Sequence, residues 1–333
     1  MIRGSLAILS LSLATAPPWF APAARANPAA KPAIRQTAPA PFSIVALASG
    51  LDARDAVAIG PSGEAYEPDH HGAWVRRHAG GIAAPVVHAT RVGATVIAGV
   101  ASGPPFQLHA GAWSSIYVGP HAIAVLGRGP RATAAVGKLV YVLVGGGRTS
   151  KLPPSPDPVV AVGASAGGVT IKTDLALARF DGGKWKPIVN APPHVVALLD
   201  DRWVLVDHGV FDLHAKSATA AMTAWPTGFA PTSVVALDAT VIAVGNARRT
   251  TGPHTGAVGA ELVTLHAGKV DREPIELDHQ ADTVAVVADK AGRIVVATRD
   301  GQIAVRVRGA WTHVQVSDEL PPDRAGSPPA VSQ

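Results

Sequence analysis

The chain has 333 residues, no cysteine and a formal net charge of +5. The lack of cysteine excludes disulfides, thiolate metal sites, a cysteine nucleophile and a lipid-modified cysteine. Removing Arg3 and Arg25 with the leader described next leaves +3, too mild a surplus to argue for nucleic acid.

Arg3 supplies a positive start, Leu6 to Ala16 is a short apolar core, and Ala24-Arg25-Ala26 is a small-x-small cleavage site. The pattern predicts a signal peptide over 1–26, cut after Ala26, and a periplasmic or secreted product. Its apolar core is too short for a lasting bilayer anchor, and no later run approaches a spanning length. Residues 27–41 are rich in Ala and Pro and read as a flexible spacer. Residues 319–333, with Pro321, Pro322, Pro328 and Pro329, read as a disordered tail.

Between them, over 42–318, a short apolar phrase keeps returning. It reads Ile44-Val45-Ala46-Leu47, Val86-Val87-His88-Ala89, Ala122-Ile123-Ala124-Val125, Val159-Val160-Ala161-Val162, Val195-Val196-Ala197-Leu198, Val234-Val235-Ala236-Leu237 and Val284-Ala285-Val286-Val287. The steps run from 36 to 50 residues. A period of about 40 residues with several short strands per unit is the signature of a propeller blade. Seven copies predict an all-β fold, a β-propeller of seven four-stranded blades.

A second repeat supports the first. Gly-x-Trp occurs at Gly72-Ala73-Trp74, Gly111-Ala112-Trp113, Gly183-Lys184-Trp185 and Gly309-Ala310-Trp311, with Gly268-Lys269-Val270 in the equivalent place of blade six. The glycine can supply the positive φ of a tight hairpin, and the tryptophan would open the next strand and pack between neighbouring blades. An aromatic sugar platform is the competing role, but repeat-equivalent residues usually serve the repeat.

The last unit spells out one blade. Thr283 to Ala288, Arg293 to Thr298, Gln302 to Arg308 and Trp311 to Val316 are four strand-like runs. They are separated by Lys290-Ala291-Gly292, Asp300-Gly301 and Gly309-Ala310 turns. No segment after the leader shows sustained helical periodicity with caps, which argues against an α/β enzyme fold. Two ways of closing the ring stay open: blade one takes its outer strand locally, or a terminal segment completes a blade.

From these repeats the chain resembles seven-bladed propellers of the WD40-like and two-component-regulator-propeller type over 42–318. Asp181-Gly182-Gly183-Lys184-Trp185 is similar to the end of a sialidase-type Asp-box, although Arg179 stands where that motif has Ser or Thr. The Trp-Asp signature of true WD40 repeats is missing. The resemblance implies a fold and carries no functional residues across.

Motifs of catalysis are sparse. Glu64, Glu67, Glu261, Glu273, Glu276 and Glu319 form no acid–base motif, and Tyr66, Tyr117 and Tyr141 lack the arginine cluster of a sialidase nucleophile. There is no Gly-x-Ser-x-Gly elbow and no phosphate-binding loop; Gly145-Gly146-Gly147 reads as a hairpin loop. Leu108-His109-Ala110, Leu213-His214-Ala215 and Leu265-His266-Ala267 are one repeated phrase in the third strand and read as structural. Asp69-His70-His71 is the best local metal candidate, yet adjacent strand residues point to opposite faces. No metal site and no cofactor are expected.

The loops joining second and third strands share a face with the starts of the blades. Around the ring they are expected to carry Arg148, Lys172 with Asp174, Asp207 with His208, Arg248 with Arg249, and Arg299 with Asp300. His121 and His194 stand just before first strands and could reach a ligand in the channel. The longest such loop, about Gly245 to Val258, belongs to blade six, and insertions in repeats often map to the binding face. The expectation is an exported, non-catalytic module for ligand binding, protein binding or assembly. Its partner would be an envelope or extracellular protein, or an acidic polymer. The competing expectation is a secreted carbohydrate-active hydrolase or lyase, which would need His194, Asp207, His208 and a carboxylate such as Glu261 to converge in one pocket.

Overall fold

The computed structural model describes residues 43–317 apart from 51, 70, 119–120, 124, 128–130, 145–147, 216, 218–220, 249–257, 267, 276 and 278–281. The expected leader, spacer and tail lie outside these residues. Seven four-stranded antiparallel blades follow one another. Blade one is Ala46–Ala48, Val57–Ile59, Ala65–Pro68 and Trp74–His78, with a 3-10 turn at Ala53–Asp55. Blade two is Val86–Val92, Thr95–Val100, Phe106–His109 and Ala112–Ser115. Blade three is Val125–Leu126, Thr133–Val136, Leu139–Val144 and Arg148–Lys151. Blade four is Val159–Ser165, Gly168–Thr173, Leu177–Asp181 and Lys184–Pro187. Blade five is Val195–Leu198, Trp203–Val206, Gly209–Asp212 and Met222–Ala224. Blade six is Phe229–Leu237, Thr240–Arg248, Val258–His266 and Lys269–Pro274. Blade seven is Thr283–Ala288, Ile294–Thr298, Gln302–Val307 and Ala310–Ser317.

The core is divided among the interfaces between blades. Ala46, Val57 and Ile59 of blade one meet Val86, Val96 and Leu108 of blade two. Leu198, Val204 and Phe211 of blade five meet Leu177 of blade four. Equivalent clusters join every other successive pair. An inner strand therefore buries both of its faces, and it reads as a run of Val, Ile and Ala rather than as an alternation.

The Gly-x-Trp repeat works as expected. Gly72, Gly111, Gly183, Gly268 and Gly309 all have φ between 77° and 85°, in turns from third to fourth strand where a Cβ would be strained. The tryptophans reach into the preceding blade. Trp113 Nε1 donates to the Gly63 carbonyl (2.8 Å), Trp185 Nε1 to that of Pro153 (2.9 Å) and Trp311 Nε1 to Glu273 Oε1 (2.5 Å). Trp74 is buried between blades one and seven.

Ring closure is resolved by this last interface. Blades one and seven each take all four strands locally, and their outermost strands run parallel, with Val316 opposite Trp74 and Ser317 opposite Val75. Two further bonds cross the seam. Ile44 N–H donates to the Arg299 carbonyl (2.9 Å), and Ala53 N–H to Asp289 Oδ2 (3.2 Å).

Five first strands share one irregularity. The register slips by one residue at Val87, Val160, Val196, Thr232 and Val284, the position of a β-bulge. A bulged residue is released from the alternation, and Val87, Val160 and Val196 are accordingly exposed. Blade three departs from the period differently. The phrase at 122 falls partly on an extra hairpin, Tyr117–Val118 with His121–Ala122, and the first strand shrinks to Val125–Leu126. Gly-Pro pairs stand at 119–120 and 129–130 on either side, and proline has no N–H for a ladder.

Blades four and five pack at backbone distance. A Cβ at Gly163 would stand 2.4 Å from the Asp200 carbonyl oxygen and 3.0 Å from Leu198 Cβ. Gly163→Ala should therefore push the two blades apart and cost about 1–3 kcal/mol, read from the urea unfolding midpoint. An unchanged midpoint would show that this close approach is not needed.

Candidate functional site

A four-stranded antiparallel meander fixes which connections share a face. First strands begin on the side where second strands end, so blade starts and second-to-third-strand turns lie together on an upper face. First-to-second and third-to-fourth turns lie on the lower face.

The expected site residues distribute accordingly. Asp207 and His208 form an exposed two-residue turn on the upper face of blade five. Lys172 is half-buried near the upper end of blade four, opposite Ala161 and Leu177. His194 is exposed just before blade five, with φ of 56°. Arg299 is exposed on blade seven, and its backbone bonds to Asp282 and Ile44. Asp300 is committed to its turn: Oδ1 accepts the Thr298 hydroxyl (2.5 Å) and Oδ2 accepts Gln302 Nε2 (3.3 Å). Arg248 closes the second strand of blade six at its upper end, and Arg249 lies outside the described residues.

Arg148 is a correction. It opens the fourth strand of blade three, after a third-to-fourth connection, and so belongs to the lower face. The reason is the shortened first strand: Thr133–Val136 becomes the second strand and Leu139–Val144 the third. Gly145 to Gly147 lie outside the described residues.

The upper face carries apolar residues that the sequence reading missed. Leu175 is 82 % exposed and Val189 is 91 % exposed. Leu175 sits in the turn between second and third strands of blade four, and Val189 on the link from blade four to blade five. Tyr117, on the link from blade two to blade three, is 64 % exposed. The Leu175 turn is held from beneath. Thr173 is buried, its Oγ1 accepts the N–H groups of Leu175 (3.3 Å) and Ala176 (3.1 Å), and its own N–H donates to the Ala176 carbonyl (2.9 Å). Ile188, beside Val189, is partly buried and packs against the core between blades four and five. Leu175 and Val189 are the most exposed of the large apolar side chains among the described residues.

The channel holds a cavity of about 570 Å³, walled by first strands of blades one, two, six and seven. At the lower mouth it meets first-to-second turns that repeat an acid: Asp200 on blade five, Asp238 on blade six and Asp289 on blade seven, with Asp52 on blade one. The signal was present as Leu199-Asp200, Leu237-Asp238 and Ala288-Asp289, after three of the seven apolar phrases. Hydrogen bonds from Arg54 hold Asp52 down at about 2. Burial pushes Asp200 up to about 6, against the pull of N–H bonds from Trp203 (2.6 Å) and Arg202 (2.8 Å).

The remaining candidates are structural. His266 Nδ1 bonds Thr240 Oγ1 (2.8 Å), and His214 bonds Arg179, which also pairs with Asp201. Burial and the Arg179 charge hold the His214 imidazole below its usual range. Asp69 Oδ1 accepts the N–H groups of His71 (2.8 Å) and Ala73 (2.9 Å), making a turn; His70 lies outside the described residues. Among the described residues no three His, Cys, Asp or Glu converge on a metal position. Glu261 is held by Arg272 at 3.0 and 2.7 Å, and neither it nor His194, Asp207 or His208 lines the cavity.

No protein-family model matches the chain, and no curated protein matches it. Solved structures do. YCF48 from Cyanidioschyzon merolae is 16 % identical with a TM-score of 0.51, over 81 % of this chain and 96 % of that one. A structure of YCF48 bound to D1 peptide is 12 % identical with a TM-score of 0.51, over 84 % and 95 %. U3-55K is 13 % identical with a TM-score of 0.50, over 78 % and 89 %. At such identities the likeness is one of fold, that of the propeller. The fold is compatible with a binding module, and among the described residues no helix is long and apolar enough to cross a membrane.

Proposed function

We propose that this chain is an exported, non-catalytic propeller that docks a protein partner of the cell envelope or extracellular space on its upper face. One observation carries the reading. Leu175 and Val189 are displayed in water, Leu175 on a turn that Thr173 holds by hydrogen bonds, at a cost that a partner surface would relieve. Lys172, Arg299 and Arg248 on the same side give an acidic partner its complement. The structure of YCF48 with D1 peptide supports the reading by showing that a propeller of this shape accepts a peptide. Export rests on the leader over 1–26.

The test is affinity capture from the envelope fraction of the source cells, with the protein purified after export and its first residue read by N-terminal sequencing. Asn27 is the expected start. A stoichiometric protein partner is expected with the native chain. It should be lost both with Leu175→Asp/Val189→Asp and with Arg248→Glu/Arg249→Glu. Capture that survives both variants would remove the upper face from consideration. The absence of any protein partner would turn attention to acidic polymers and glycans.

A further inference from the structure

We propose that the first residues after the last blade, Asp318 to Leu320, dock on the outer strand of blade one as a continuation of the seam, held there by Arg76 and Arg77. The loose tail then begins at Pro321 rather than at residue 319.

The register leads to this placement. The outer strands of blades seven and one run parallel, with Val316 opposite Trp74 and Ser317 opposite Val75. Ser317 is the last described residue, but the blade one strand continues through Arg76, Arg77 and His78. Partners in a parallel ladder advance one for one. The same register brings Asp318 to Arg76, Glu319 to Arg77 and Leu320 to His78. The segment is thus continuous, in chain and in ladder, with an interface already formed. Pro321 and Pro322 follow at once and have no N–H to donate, so the ladder ends there.

Charge selects the same occupant. Side chains alternate along a strand, so Asp318 shares the face of Val316, and Arg76 that of Trp74. Val316 and Trp74 are buried together, and Arg76 beside them is half-buried. A carboxylate on a half-buried guanidinium is held more firmly than one in open water. Blade one's own ladder sets Tyr66 opposite Arg76, and Arg77 is the residue at which that ladder slips. No acidic residue occurs between Asp69 and Asp157, while eight Lys and Arg do, so Arg76 and Arg77 open a stretch of one sign. Asp318 and Glu319 bring the opposite sign at the matching positions. The spacer over 27–41 carries Lys31 and Arg35 and no acid, the wrong sign for this edge. Covering the strand also removes an edge on which a foreign chain could pair.

The test is hydrogen exchange of the full chain at low salt, read by mass spectrometry. Amides from Asp318 to Leu320 are expected to exchange more slowly than those from Asp323 onward, by about tenfold or more. Asp318→Arg/Glu319→Arg should lose this protection while the amides of Ile294–Thr298 stay slow. Arg76→Glu/Arg77→Glu should lose it too. Because these arginines also belong to blade one, the two pairs are then reversed together, and protection should return. Fast exchange from Asp318 to Leu320 in the native chain, or protection kept in the Asp318→Arg/Glu319→Arg variant, would overturn the proposal. So would its failure to return in the fully reversed chain when the Ile294–Thr298 amides stay slow. Protection that fades on dilution would give the edge to the tail of a second copy and overturn it equally.

Discussion

Trp74→Ala should cost about 4 kcal/mol, near the top of what one core substitution costs. Trp74 is 3 % exposed and sits where the last blade meets the first. It belongs to one buried cluster with Val295, Ile303 and Val316 of blade seven and Leu47 and Tyr66 of its own blade. Truncation leaves a cavity that the seam cannot collapse around, since both flanking strands are fixed by the parallel pairing of Val316 with Trp74. The partner substitution, Val316→Ala, should cost less alone, about 1–2 kcal/mol. In the double variant the two costs should fall short of adding, because the residues share one contact and one ladder. Urea unfolding of the four proteins measures this. Strict additivity would mean that the two outer strands are neighbours without being coupled, and that the ring is held by Ile44 and Ala53 instead.

How much of this could be read beforehand depends on the range of the interaction. The blades were legible because a blade is local: its strands, turns and tryptophan recur within about 40 residues. Blade seven was read to within a residue or so at each strand, because Gly292, Asp300-Gly301 and Gly309 mark its turns. The seam was not legible. Trp74 and Val316 are ordinary members of repeated patterns, and nothing local says that they pair. Blade three misled because the apolar phrase at 122 mimics a first strand while the true one starts at Val125, which carried Arg148 to the wrong face. In blade six the bulge stands at Thr232, so the equivalent of Val86-Val87 begins at Pro231, three residues before the phrase noticed in the sequence. The upper-face charges were found because charged loop residues stand out in a chain that is 16 % charged. Leu175 and Val189 were not, since an exposed leucine looks like a buried one until the turn around it is known.

Asp200→Asn should change the pH dependence of stability by the second-largest amount. Burial raises the Asp200 carboxyl to about 6, from 3.8 in the unfolded chain. Between those values the folded protein holds a proton that the unfolded chain has released, so stability falls as pH rises from about 4 to about 6 and is level beyond. A difference of about two pH units corresponds to about 3 kcal/mol. Below about 4 both states are protonated and the penalty vanishes. Asparagine keeps an oxygen able to accept from the Arg202 and Trp203 N–H groups and brings no charge. The variant should therefore match the native chain at low pH and exceed it at neutral pH by about 1–3 kcal/mol, the deduction being for weaker, uncharged hydrogen bonds. Asp52 and Asp181 act in the opposite sense, since Arg54 and Lys186 hold them below the usual carboxylate range and their contributions fade as pH falls. They are common to both proteins, so the difference between the two curves isolates Asp200. Urea midpoints from pH 4 to 8 for native and variant chains decide it. Curves that run parallel would mean that Asp200 is ionised without penalty in the folded protein, and that the lower mouth is wetter than its packing indicates.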